Sequence, residues 1–326
     1  MLRTVPGTAV TRRALLSAGM GAVALGLTGL RGTPATAAVR AANRFELTSS
    51  PAALMTGTAL YDETVLQSFA FDNVNGHLYT VQVRNGSGSA AAGNLCVTKL
   101  SLAGAILGHM YLTGFGHGVQ IGVEPSGTSA YLWTETDGVS DGSTSWGSKL
   151  ARFKFVNGQT LTTASTALTK YAPVAGAGST TCAIDPSTNR LIMRYVLNGQ
   201  RHFTAFTLSA VKAGGNPTPL YDITQPAGLG TFQGYTAYGQ YLYLLDGTAY
   251  SDDNPSPGNT YLTSVDLANG AVVQRSFTQA WKSLTFREPE GMAIQLTAAG
   301  PRLCFGFATG ESGARQVAII YKNTLV

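Results

Sequence analysis

The sequence predicts an all-β fold, a five-bladed β-propeller closed by an N-terminal strand and preceded by a cleavable signal peptide. Three observations carry that expectation. The first is a repeat. QSFAF (67 to 71), HGVQI (117 to 121), TTCAI (180 to 184), QGYTA (233 to 237) and EGMAI (290 to 294) each open on a polar residue, follow it with Ser, Gly or Thr, and run on apolar. Their spacings are 50, 63, 53 and 57 residues, room for about four strands per unit, as in a propeller blade. The second is alternation in short runs such as HLYTVQV, AYLWTET, LIMRYV, YLYLLD and RLCFGF. Asn-Gly pairs at 75, 85, 157, 198 and 269 punctuate such runs and supply the positive φ of tight hairpins. The third is composition: 39 glycines and 12% charged residues, with almost no helical periodicity.

The elements follow in order. Residues 1–37 contain Thr11-Arg12-Arg13-Ala14-Leu15-Leu16, a weakly apolar stretch to Leu30, and Ala35-Thr36-Ala37-Ala38. Paired arginines, a short apolar region and a small-x-small site make a twin-arginine (Tat) signal peptide cleaved near Ala37. A membrane anchor needs roughly 20 strongly apolar residues. This stretch holds Gly19, Gly21, Gly26 and Gly29, so no span is expected after processing and the protein is expected outside the cell.

Residues 38–326 are expected to form a single propeller domain, with blades starting near 65, 116, 179, 232 and 289. Only QVAIIYK follows RLCFGF, so a strand between about Arg44 and Tyr61 must complete the fifth blade and cover its open edge. Ser68, Gly118, Thr181, Gly234 and Gly291 occupy the crowded level near the axis, where backbones approach most closely. The preceding polar residues, Gln67, His117, Thr180, Gln233 and Glu290, stand at the channel entrance, His117 beginning the inner strand of blade two. RNGSGSAAAGN, TDGVSDGSTSWG and DGTAYSDDNPSPGN are long second-to-third connections, expected as loops on that entrance face, whereas blade three has only NGQ. Long irregular connections often carry function.

Charge narrows the function. The segment before Ala38 holds Arg3, Arg12, Arg13 and Arg31 and no acid; 22 basic residues less these four leave 18 against 17 acidic ones. A near-neutral mature chain lacks the basic surface of a nucleic-acid binder, so no nucleic-acid partner is expected. Cys96, Cys182 and Cys304 lie far apart in apolar runs without CxxC spacing. Buried free thiols are expected, with one disulfide an open alternative outside the cell. No metal and no cofactor is expected: the stretches around Asp137 to Asp141 and Asp252, Asp253 lack the alternating order of a calcium loop. A monomer is expected.

The candidate ligand-binding residues are Gln67, His117, Glu124, Trp146, Thr180, Gln233, Trp281, Arg287, Glu288 and Glu290. Trp146 and Trp281 offer flat faces for sugar rings, or equally pack as hydrophobic cover. His117 and Glu290 are the candidate acid/base residues, able in principle to move a proton beside a uronate. Glycoside hydrolysis needs two carboxyl groups roughly 5 to 10 Å apart. Glu288 and Glu290 share one short segment, which leaves Glu124, Asp137 or Asp141 to supply the second.

QSFAFDNVNGHLYTVQV, GFGHGVQIGVE from Gly114 and REPEGMAI at 287 to 294 resemble the propeller family shared by teichoic acid biosynthesis protein C proteins and the receptor-binding proteins of certain staphylococcal phages. The resemblance spans about residues 55–326. It implies a five-bladed propeller associated with cell-wall polymers, secreted or displayed, and puts His117, Glu124, Glu288 and Glu290 in its motif positions at the rim. The expected function is a secreted propeller that binds an extracellular or cell-wall glycan, teichoic-acid-like or another anionic polysaccharide. Two alternatives stand beside it. One is a glycoside hydrolase or polysaccharide lyase using His117 and Glu290; the other is a scaffold that meets a protein through its rim.

Overall fold

A computed structural model describes residues 43–326; the expected signal peptide lies outside them. Strand β1 (Ala52–Ala59) precedes blade one, which comprises β2 (Leu66–Asp72), β3 (His77–Val83), β4 (Leu95–Ser101) and β5 (Ile106–Thr113). Blade two comprises β6 (Gly122–Ser126), β7 (Ser129–Ser140), β8 (Ser145–Lys154) and, after the short β9 (Thr160–Thr162), β10 (Thr169–Tyr171). Strand β9 runs parallel to β5 and so ties blade two to blade one. Blade three holds β11 (Gly178–Asp185), β12 (Arg190–Leu197), β13 (Gln200–Thr207) and β14 (Tyr221–Thr224), with helix α1 (Leu208–Ala213) between the last two. Blade four is β15 (Phe232–Tyr238), β16 (Tyr241–Asp246), β17 (Tyr261–Asp266) and β18 (Val272–Phe277). Blade five is β19 (Glu288–Thr297), β20 (Gly300–Thr309), β21 (Gln316–Lys322) and the returning β1.

The inner strands β2, β6, β11, β15 and β19 contact one another in a closed ring. Each sheet is covered on both faces, which explains why the inner runs are apolar almost throughout. Alternation then sends successive side chains to opposite blade interfaces. Phe69 joins the apolar cluster shared with blade five, and Ala70 the cluster shared with blade two. Ala183 faces blade four, while Cys182 faces blade two. Five such clusters fill the five interfaces. Each large apolar side chain buried there contributes about 1.5–3 kcal/mol, so the core is distributed around the ring. The three cysteines are free and buried within it.

The expected closing strand is present: β1 runs antiparallel to β21, from Ala52 opposite Tyr321 to Ala59 opposite Gln316. Further back, Phe45 bridges Leu325, and the backbones of Arg44 and Val326 exchange two hydrogen bonds. Close approach at the axis also follows the small residues. A Cβ on Gly234 would fall 2.8 Å from the Cα of Gly291, and one on Gly291 would fall 2.8 Å from the Cα of Ser68. Ser68 Oγ donates to the carbonyl of Gly118 at 2.6 Å. The blade-three hairpin turns on Asn198 and Gly199, φ 50° and 78°, with Leu197 opposite Gln200, as an Asn-Gly turn requires.

Two expectations are corrected. His117 does not begin a strand; β6 starts five residues later, at Gly122. The backbone N–H groups of His117 and Gly118 donate instead to the carboxylate of Glu135, which takes them out of any ladder. The connection TDGVSDGSTSWG is also no loop. Strands β7 and β8 continue through it, pairing Gly138 with Gly147 and Ser140 with Ser145. Asp141 closes the hairpin by accepting from the backbones of Ser143 and Thr144, so Trp146 stands on a strand.

Candidate functional site

Four inner strands break register at one level: between Leu66 and Ser68, Gly178 and Thr181, Phe232 and Gly234, and Pro289 and Met292. A bulge inserts an extra residue and re-aims its side chain. Gln67, Gln233 and Glu290 are such residues, and all three line a cavity of about 490 Å³. That volume lies within the range of small-molecule sites. His117, Trp146 and Glu288 line it as well, so six of the ten residues singled out in the sequence come together.

The other four lie elsewhere. Thr180 is buried, and its hydroxyl donates to the carbonyls of Gly147 and Lys149; its strand's bulge turns it toward blade two. Arg287 is fully buried and donates to the carbonyls of Thr278 and Ala280 and to the Thr260 hydroxyl. It clamps the segment leading into β19. Trp281 packs against the cluster between blades four and five. Glu124 accepts from Arg152 Nε at 2.7 Å, Lys212 Nζ at 2.6 Å and Trp133 Nε1 at 2.9 Å. Burial disfavours its charge, but these donors outweigh that and hold the carboxyl down at about 2. It is an ion-paired structural residue away from the rim.

Two arginines missed by sequence reasoning complete the wall. Arg194 on β12 and Arg201 on β13 both line the cavity, contributed by the blade with the shortest connection between its second and third strands. Arg194 is buried, donates from Nε to Gln225 Oε1 at 3.0 Å, and lies 3.8 Å over the Phe232 ring. Burial first, and repulsion from Arg201 second, lower its proton affinity to about 9. Among the described residues neither arginine forms an ion pair within 4.0 Å. The available signal was a charge inside the apolar run LIMRYV.

The acids show the opposite shift. Burial, reinforced by Glu288, raises Glu290 well above the ordinary carboxyl value. Burial also raises Glu288, against the pull of Arg315 and a hydrogen bond with Gln233. His117 is pushed down by burial, its ring 5.2 Å from the indole of Trp146. Its Nδ1 has no hydrogen-bond partner among the described residues. The wall therefore presents cations, amides, protonatable carboxyls and aromatic faces to one space. Such a set binds an anionic group together with hydroxyls and a ring face. For cleavage the arrangement is less complete. The two lining carboxyls stand two residues apart on β19, Asp137 is paired with Lys149 and Lys170, and Asp141 closes its turn.

Residues 65–322 match the family described as the phage 5-bladed β-propeller receptor-binding platform domain. The chain is 31% identical over 282 residues to the putative major teichoic acid biosynthesis protein C of Bacillus subtilis (strain 168), covering 83% of this chain and 62% of that protein. The tail fiber of Staphylococcus aureus phage P68 shares the fold with a TM-score of 0.69 at 21% identity, covering 84% of this chain and 52% of that one. The chain thus spans between about half and two thirds of the length of these relatives. No helix among the described residues is long and apolar enough to cross a membrane.

Proposed function

Because the chain belongs to the phage five-bladed β-propeller receptor-binding platform family, we propose that its funnel binds an extracellular or cell-wall glycan, a teichoic-acid-like or other anionic polysaccharide. One observation carries this reading: Arg194 and Arg201 open into the cavity lined by Gln67, Gln233, Glu288 and Glu290 without an ion-pair partner among the described residues. A desolvated guanidinium gains most from a phosphate or carboxylate that it can grip with two parallel hydrogen bonds. The amides and the carboxyls of raised proton affinity then serve hydroxyls, and Trp146 and Phe232 offer ring faces. The teichoic acid label of the Bacillus subtilis relative fits such a polymer. Export of the mature chain by the twin-arginine route, as a monomer, belongs to the same proposal.

The test is binding of purified poly(glycerol phosphate) and of a neutral glucan by the mature protein, measured calorimetrically. The anionic polymer is expected to bind, and Arg194→Met to abolish most of that binding. No binding of either polymer, or equal binding of both, overturns the proposal. A second reading, cleavage, is favoured by the raised proton affinity of Glu290 in the cavity that His117 also lines, since a general acid must keep its proton near neutral pH. New reducing ends or unsaturated uronates after prolonged incubation would establish it.

A further inference from the structure

Glu135 lies in the middle of β7, fully buried, with no Lys or Arg within ion-pair distance among the described residues. Its Oε1 accepts from the backbone N–H of His117 at 3.1 Å and of Gly118 at 2.6 Å, while Oε2 accepts from Gly147 at 2.5 Å. The two oxygens therefore serve two separate arms. One is the arch 114–118 that carries His117 into the cavity; the other is the start of β8 that carries Trp146. Glycines make room for the carboxylate: a Cβ on Gly116 would fall 2.2 Å from Oε2 of Glu135, and one on Gly147 would fall 2.4 Å from its Cβ.

We propose that Glu135 is a positioning residue of the funnel: its carboxylate fixes His117 and Trp146 relative to one another, and protonation releases one of the two arms. The inference rests on the funnel being the binding site. A carboxylate only accepts, whereas a protonated carboxyl must donate from one oxygen. That hydrogen then faces a backbone N–H, donor against donor, and the arm it served is lost. Burial pushes the Glu135 carboxyl up to about 7 against the stabilising bonds from Gly147, Gly118 and His117 and the weaker attraction of Arg194. The ionisable groups that face it are His117 of the arch, Arg194 of β12 and Cys182 of β11. Burial pushes the imidazole down and the thiol up, so Glu135 is the member of this group that changes charge around neutrality.

The experiment follows the backbone amide resonances of Gly118 and Gly147 by NMR between pH 5 and pH 9, without ligand. In the wild type they are expected to move together with one midpoint, close to the value of about 7 for the carboxyl. The same joint titration is expected in His117→Ala and its loss in Glu135→Gln, whose carboxamide has one oxygen and can satisfy one arm only. Amides that titrate apart in the wild type, or that still titrate in Glu135→Gln, overturn the inference. A folded Glu135→Gln is also expected to bind poly(glycerol phosphate) about tenfold more weakly at pH 8, the size of one lost charge-assisted hydrogen bond. Unchanged affinity there would sink it too. If Glu135→Gln does not fold, the wild-type and His117→Ala titrations decide alone. If the wild type binds no polymer, the glycan reading fails while the amide titration still judges Glu135.

Discussion

Arg194 is held in a place where a guanidinium loses much of its hydration and recovers one side-chain hydrogen bond and an aromatic face. Arg194→Met keeps the stem volume and removes the charge, so the fold should hold or gain slightly in melting temperature while anionic-ligand affinity falls by about tenfold or more, the scale of a charge-assisted hydrogen bond. A variant that binds as before would remove Arg194 from the site. Glu290 offers a test through stability. Its carboxyl is raised well above 4.5 in the fold, so the folded chain holds that proton more tightly than the unfolded one. The contribution is fully present below about pH 4.5 and is lost as pH rises through the folded value. Wild-type melting temperature should therefore fall relative to Glu290→Gln from pH 5 to pH 8, and parallel curves would contradict the burial argument. At this scale Gln67, His117, Gln233 and Glu290 were legible, because each is a polar residue fixed just ahead of an apolar run. Arg194 and Glu135 were not. Alternation says that a side chain points inward, but not whether the space it enters is dry core or funnel wall.

Three inner strands, β2, β15 and β19, share one irregularity, a bulge that turns a side chain out of the ladder and into the cavity. The tight packing just beneath it predicts the effect of small substitutions. Gly291→Ala would press a Cβ against the backbone of blade one, and Gly118→Val would press against the side chains of Val81 and Leu95. Overpacking against side chains costs about 1 to 3 kcal/mol. Positive φ strains both sites, 75° at Gly291 and 83° at Gly118, but Gly291→Ala should lie at or beyond the upper end because there two backbones must part. Denaturant melts of both variants check the order; equal, small losses would mean that the blades can separate cheaply. Strand order was readable from Asn-Gly turns and alternation, whereas the β7–β8 extension was not. Its Gly, Ser and Asp content reads as loop, and what holds it straight is the Asp141 turn and the Glu135 bond to Gly147, neither of which leaves a periodic trace.

The described residues form a ring of five blades that closes where β1 pairs with β21. Deleting residues 38 to 61 should lower the melting temperature and broaden the transition, because blade five loses its outer strand and exposes an edge; an unchanged cooperative melt would show that the pairing contributes nothing. Five blades and their closure were legible because the repeat and the strand deficit of the fifth unit are countable. The interface clusters were legible only as apolar positions, since the sequence does not say which blade each one faces. Closure also has a consequence in time. The partner of β1 is made only after every other strand of the ring, so during synthesis Ala52–Ala59 waits unpaired until Lys322 has been polymerised. Blades one to four complete their sheets from neighbouring sequence and can settle as they emerge, while blade five cannot. The ring's first strand thus stays open until its last has been made, and the step that seals the ring is the encounter of those two strands.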